Sequence, residues 1–211
     1  MKTAVKNALR TGGILMGFAL AGTALLALTY DHTRPVIARS QEAEKRALVS
    51  QVMPAKHYDN DLLASVRTLP PDPLLGTRQA SSAWIARREG TYAGVVLEAF
   101  APDGYSGEIA LLIGIDAKGR ITAVRVTAHR ETPGLGDYID RSRSDWVDQF
   151  TNKALLSPPN RGWSVKKDGG VFDARAGATI SPRAVVKAVK RALDYHARHR
   201  AAFAAQETPQ P

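Results

Sequence analysis

Residues 12–30 read GGILMGFALAGTALLALTY, an unbroken run of nineteen residues without a charge. At about 1.5 Å of rise per residue a helix of this length reaches roughly 28 Å, close to the ~30 Å hydrocarbon thickness of a bilayer. Lys2, Lys6 and Arg10 precede the run and no acid does, while Asp31, His32 and Arg34 follow it. The positive-inside bias therefore places the short N-terminus in the cytoplasm and the rest of the chain across the membrane. A cleaved signal peptide needs an apolar run of only about 7–15 residues. The greater length here predicts a retained anchor over residues 1–30.

The net charge of +9 suggests a nucleic-acid partner only if it sits on the folded body. It does not. The first thirty residues carry three basic side chains and no acid, and residues 182–211 carry six basic and two acidic ones. Residues 31–181 hold 20 basic against 18 acidic side chains and are nearly balanced. A nucleic-acid surface concentrates its positive charge in a patch or stripe, so no nucleic-acid partner is expected. The chain has no cysteine. Disulfides, thiolate zinc sites, cysteine-ligated iron–sulfur clusters and cysteine nucleophiles are thereby excluded.

Beyond the anchor, residues 31–80 read as a stalk helix and connector. The stalk covers 38–52, with Ser40 as its N-cap and Pro54 as its stop. The segment LPPDPLLGT at 69–77 is an irregular connector. Residues 81–205 form the body, and the tail at 206–211 is expected to be disordered. Within the body, 92–100 is strand-like and PDG at 102–104 turns the chain. Ile109, Leu111, Ile113 and Ile115 then alternate along one strand face. The DAKG turn at 116–119 returns the chain into 121–127, with Val124 and Val126 on one face. Three antiparallel strands follow from this pattern. Trp146, Val147 and Phe150 suggest a short amphipathic helix within 139–150. A final helix opens with Ser181 as N-cap and Pro182 at the first helical position. Its buried stripe is Val185, Val186, Val189, Ala192 and Leu193. The fold class is α+β, an antiparallel sheet packed by helices behind a single membrane helix.

Chemistry is sparse. No catalytic triad or paired carboxylates stand out, and no catalytic residue is assigned. His196 and His199 share a helix face without a carboxylate beside them and read as a solvated basic surface. His129 with Glu131 lacks a second histidine, so no metal site is assigned. Trp84, Trp146 and Trp163 read as packing residues. The segment DARAGATISP at 173–182 is different: Gly177 and Ala178 let another group approach the backbone, and Thr179 stands just before a helix N-terminus. On physical grounds it is either an ordinary strand-to-helix turn or an anion site.

AGAT at 176–179, with Asp173 ahead of it, resembles the flavinylation motif Asp-x-x-(Ser/Thr)-Gly-Ala-(Thr/Ser) of the FMN-binding domain family. HRETPGLG at 129–136 resembles that family's second segment. With the N-terminal anchor and a length near 210, the chain is similar to the G-subunit family of Rnf ion-translocating electron-transport complexes. The resemblance implies covalent FMN, joined through its phosphate to Thr179 by a dedicated flavin transferase that uses FAD. Gly177, Ala178, Ser181 and Asp173 would surround the attachment, and Glu131, Thr132, Gly134 and Leu135 would lie nearest the ring. It further implies electron relay within an ion-translocating ferredoxin:NAD oxidoreductase, without independent turnover. The other membrane subunits of the complex would be partners, with the domain on the periplasmic side of a bacterial inner membrane. One residue departs from the pattern: Ala176 stands where Ser or Thr is commoner. A threonine hydroxyl is a poor nucleophile without activation, and no histidine lies near Thr179 in sequence, which fits an external transferase. Two other readings stand beside this one. One is the C subunit of a sodium-translocating NADH:quinone reductase, which is generally longer. The other is a non-redox assembly or regulatory domain.

Overall fold

The computed structural model describes residues 2–205. It comprises two units, residues 1–44 and residues 45–211. The disordered tail expected at 206–211 lies outside the described residues.

The described residues of the first unit all belong to helix α1 (Lys2–Val52). Its stretch Leu9–Pro35 has a mean hydropathy of 1.8 and buries none of its side chains in the protein. Leu15, Met16, Phe18, Leu20, Leu25 and Leu26 all stand exposed. That is the pattern of a helix whose solvent is lipid. Three of its threonine hydroxyls are satisfied internally: those of Thr23, Thr29 and Thr33 donate to the carbonyls of Ala19, Leu25 and Thr29, each at 2.8 Å. The expected break between anchor and stalk is absent. Pro35 lies inside the helix and no new helix starts at Ser40. A proline removes one ladder bond and strains the turn before it without having to end the helix, and here the helix runs on through it to Val52. Pro54 does stand just past its end, two residues after Val52.

The second unit begins with the last residues of α1 and contains a five-stranded antiparallel meander in the order β1-β2-β3-β4-β5. The strands are β1 (Val66–Leu69), β2 (Ser81–Arg88), β3 (Thr91–Gly104), β4 (Gly107–Asp116) and β5 (Ile121–Ala128). The last three are the predicted strands, and β1 and β2 add to them. The boundary expected at residue 81 therefore falls too late, because β1 pairs with β2 in the same sheet. The turn also moves. β3 continues through Pro102 to Gly104, which pairs with Gly107, so Tyr105 and Ser106 form the hairpin tip.

Helix α2 (Ile180–Ala204) covers one sheet face. Ile109, Leu111, Ile113 and Ile115 of β4 point to it, as do Val124 and Val126 of β5, and the predicted stripe of α2 meets them. The end of α1 covers the other face, where Val49, Val52 and Met53 pack with Trp84, Val96 and Leu112. The Thr122 hydroxyl donates to the Val52 carbonyl and fixes that contact. All three tryptophans are buried packing residues, as expected. The amphipathic helix expected over 139–150 is instead two short 3-10 turns, Gly136–Ile139 and Trp146–Phe150.

His196 departs from the expected solvated face. It is 2% exposed, and its Nε2 lies 2.8 Å from the Tyr92 hydroxyl. The stripe of α2 continues past Leu193 because the start of β3 lies beneath it. Burial, assisted by Arg200, pushes the His196 pKa down to about 4 from 6.5. Because the folded value is the lower one, the unfolded chain takes up the proton first. The neutral ring therefore costs nothing above pH 6.5, stability falls as the pH drops, and the loss is complete below about pH 4. It amounts to about 3 kcal/mol. Urea titrations of the full chain in detergent should show this slope, and His196→Gln should flatten it relative to the parent.

Candidate cofactor site

The segment that carries Thr179 is pinned at its start. Phe172 is fully buried, packed against Phe150 and Trp163 at ring separations of 4.7 and 5.3 Å. The Trp146 indole then donates to the Asp173 carbonyl at 2.6 Å, and the Asp173 amide donates to Gln149 Oε1 at 2.8 Å. Further along, the Ala178 amide closes a turn onto the Arg175 carbonyl at 3.1 Å. Gly177 has φ +80° in that turn, a left-handed conformation that glycine adopts without strain. Tyr138 holds the turn from below: its hydroxyl donates to the Ala178 carbonyl and accepts from the Arg175 amide, each at 3.0 Å. Its ring also lies 4.6 Å beneath the Arg175 guanidinium. Burial pushes the Tyr138 phenol up, so it remains a donor.

The final helix starts two residues earlier than Ser181-Pro182 predicts. Ile180 is its first residue and Thr179 its N-cap. Thr179 has φ −94° and ψ −18°, and its side chain makes no capping bond. An N-cap normally adopts extended geometry, which aims its oxygen at the amides ahead. In the helical geometry found here the hydroxyl is left uncommitted. The first helical amides lack intrahelical partners, and Pro182 has none to offer. The open donors at this end are therefore the amides of Ile180 and Ser181.

Ser181 does not cap because its hydroxyl serves another partner. It donates to Glu131 Oε2 at 2.7 Å. Glu131 is 4% exposed, and its other oxygen accepts from the Ser106 amide at 3.2 Å. One buried carboxylate thus ties the β3–β4 hairpin tip, the 129–136 loop and the start of α2 together. Gly136 permits it: a Cβ there would stand 2.8 Å from Glu131 Oε2 and 2.9 Å from Ser181 Oγ.

Where these three segments meet is a cleft of about 160 Å³, lined by Glu131, Thr132, Leu135 and Gly136, by residues 177–181 and by Tyr105. The structure so brings together seven of the residues singled out in the sequence: Glu131, Thr132, Leu135, Gly177, Ala178, Thr179 and Ser181. Two do not join them. The Asp173 carboxylate is exposed and pairs with Lys166 at 2.6 Å, its backbone instead anchoring the loop. Gly134 supplies a turn at φ +77° and does not line the cleft. Tyr105 and Tyr138 carry no sequence signal of a role here. The first sits on a hairpin tip whose position depends on the register of two strands, and the second belongs to no motif beyond being the aromatic residue just after the loop.

A drug-sized ligand occupies a pocket of about 300–1,000 Å³. This cleft is smaller, so FMN would be enclosed only in part. Its residues nevertheless fit such a group: a free hydroxyl, open helix amides at the positive end of a dipole, and apolar side chains at the mouth.

An FMN-binding domain model matches residues 104–194, and a model of the RnfG N-terminal region matches residues 1–52. The cleft lies wholly within the first match. A Pseudomonas aeruginosa protein, named as the G subunit of an ion-translocating oxidoreductase complex, is 48% identical over 210 residues, covering 98% of this chain and 97% of that relative. Proteins of the same name from Aliivibrio fischeri and Vibrio cholerae are 44% and 43% identical. They cover 88% and 99% of this chain, and 89% and 98% of their own lengths. At this identity over nearly full length, the chain belongs to the family of G subunits of ion-translocating oxidoreductase complexes, with an FMN-binding domain behind its apolar N-terminal helix.

Proposed function

We propose that this chain is a membrane-anchored flavoprotein subunit that holds FMN covalently on Thr179 and relays electrons between other subunits of an ion-translocating oxidoreductase. The observation that carries the reading is Thr179, whose hydroxyl makes no capping bond at the start of α2 and which lines a cleft inside the FMN-binding domain. Attachment forms a bond from Thr179 Oγ1 to the FMN phosphorus of FAD. The pyrophosphate bond breaks, AMP leaves, and the hydroxyl proton passes to a base of the flavin transferase. Among the residues lining the cleft, no histidine or uncommitted carboxylate is placed for that last task, since both Glu131 oxygens have partners. The phosphoester would lie beside the open amides of Ile180 and Ser181, where the dipole favours negative charge.

Bound FMN supplies reversible electron uptake and release. The chain supplies placement, since a fixed relay needs a cofactor that cannot diffuse away and a site that its partners can reach. A small open cleft offers little non-covalent retention, and the ester compensates for it. Lys2, Lys6 and Arg10 orient the anchor with its N-terminus in the cytoplasm and the domain on the periplasmic side of the inner membrane. The transferase would act there, and the other membrane subunits of the complex would be the electron partners.

Co-expression with a flavin transferase should give a fluorescent flavin band that survives a denaturing gel at the mass of this chain. Expression without the transferase should give none. A band independent of the transferase would contradict external attachment.

A further inference from the structure

A second recess lies toward the other end of α2, roughly 20–30 Å along the helix from Thr179 at about 1.5 Å per residue. It measures about 340 Å³ and shares no residue with the cofactor cleft. Leu155 and Leu156 of the 153–158 loop line it, with Leu193, Ala197 and Arg200 of α2 and Lys118 of the β4–β5 turn. The two loop leucines form the tip of a two-residue turn, closed by Ala154 and Ser157, which exchange two backbone bonds of 2.8 Å. Such tips favour Asn, Asp and Gly. Leu156 is nevertheless 78% exposed, the most of any large apolar side chain described from Lys45 onward. Nor is the tip a free loop. The Ile121 amide donates to the Lys153 carbonyl at 2.8 Å, and the Trp163 indole donates to the Leu155 carbonyl at 3.2 Å. The charge here is one-sided. Among the described residues, neither the Lys118 nor the Arg200 side chain has an ion-pair partner, whereas Arg183 and Lys187 of the same helix pair with Asp168 and Asp103. No acid is among the lining residues described. Asp116, the acid of the Lys118 turn, accepts from the Lys118 and Arg120 amides at 2.8 Å.

We infer that this recess is a docking surface for another subunit of the complex, and that it takes a segment carrying a carboxylate beside a bulky apolar side chain. The leucine walls bury the apolar side chain, and Lys118 and Arg200 receive the carboxylate. Two unpaired cations beside an apolar hollow complement such a segment and repel a basic one. A lipid surface fits less well, because recognition of anionic headgroups draws on clusters of about four to eight Lys or Arg. The hollow also falls within the range of about 300–1,000 Å³ that encloses an inserted group. Because the tip is already held by its backbone bonds, little further ordering is needed on docking. Contact at this end of α2 leaves the Thr179 cleft open.

The test uses the complex co-expressed with all its subunits and purified in detergent. Leu156→p-benzoylphenylalanine places a photo-cross-linker at the tip. Irradiation should join this chain to another subunit, at a segment where Asp or Glu adjoins Leu, Ile, Val, Met or Phe. Leu156→Asp and Arg200→Glu alter exposed side chains, so the urea midpoint and the flavin loading should stay at the parent level. Each should lower retention of this chain in the complex about tenfold, the effect of losing one interface anchor. Replacing the cross-linked acid by Lys should restore retention to Arg200→Glu and not to Leu156→Asp. A cross-link to lipid, to a second copy of this chain or to a segment without an acid would overturn the docking surface. So would no cross-link at all, or full retention of both variants. None of these outcomes bears on the attachment at Thr179, which flavin loading reads separately.

Discussion

Thr179→Val should abolish covalent flavin loading and leave the fold in place. Valine preserves the branched shape and removes the single atom that forms the ester. The usual objection to such a change is the lost cap, worth about 0.5–2 kcal/mol where a threonine oxygen binds the helix amides. Thr179 makes no such bond, so the cost belongs at or below the bottom of that range. Far-ultraviolet circular dichroism and the urea midpoint should stay close to those of the parent while the flavin band disappears. Thr179→Ser restores a hydroxyl on the same backbone and should recover part of the loading. Loss of fold in the valine variant would mean that the hydroxyl has a structural duty absent from the geometry described above.

Phe172→Ala should have the largest effect on stability, a loss of about 3–5 kcal/mol. The ring is fully buried between Phe150 and Trp163, in a cluster continuous with Trp146 and Tyr138. Its surroundings are rings on short turns that cannot slide into the void. Against a typical total of about 5–15 kcal/mol this is a large fraction. The effect reaches the site because Phe172 is followed directly by Asp173, whose amide and carbonyl are both bonded to the 146–150 turn. Chemical denaturation should show the lower midpoint, and the loaded fraction should fall with it. Phe172→Leu, which fills more of the space, should lose less of both.

The legible parts of the fold are those where one physical signal acts alone. On β4 the four apolar residues Ile109, Leu111, Ile113 and Ile115 alternate because only that face meets α2. On β2 the alternation vanishes. Ala83 and Ile85 face one layer while Trp84 and Ala86 face the end of α1, so a sheet covered on both sides reads as a run without period. The same covering explains why this strand has no clear sequence signal and why the expected domain boundary falls late. At the helix start, Ser181-Pro182 is a sound local capping signal. It is overridden by a contact fifty residues away in sequence, Ser181 to Glu131, which no local pattern encodes. Trp146, Val147 and Phe150 are all buried as their spacing suggests, but one 3-10 turn suffices to bury them. Thr179 is legible through its motif and its place before a helix. The state of its hydroxyl is not, because that depends on two backbone angles.

Thr179 as the covalent attachment point of FMN is the central claim. Its most direct measurement is the intact mass of the full chain purified from membranes with an active flavin transferase, followed by mapping of the modified peptide. The account predicts a gain of one FMN less one water, located on the peptide that contains residues 176–179 and absent from Thr179→Val. An unmodified mass beside an active transferase, or the same gain retained in Thr179→Val, would contradict it.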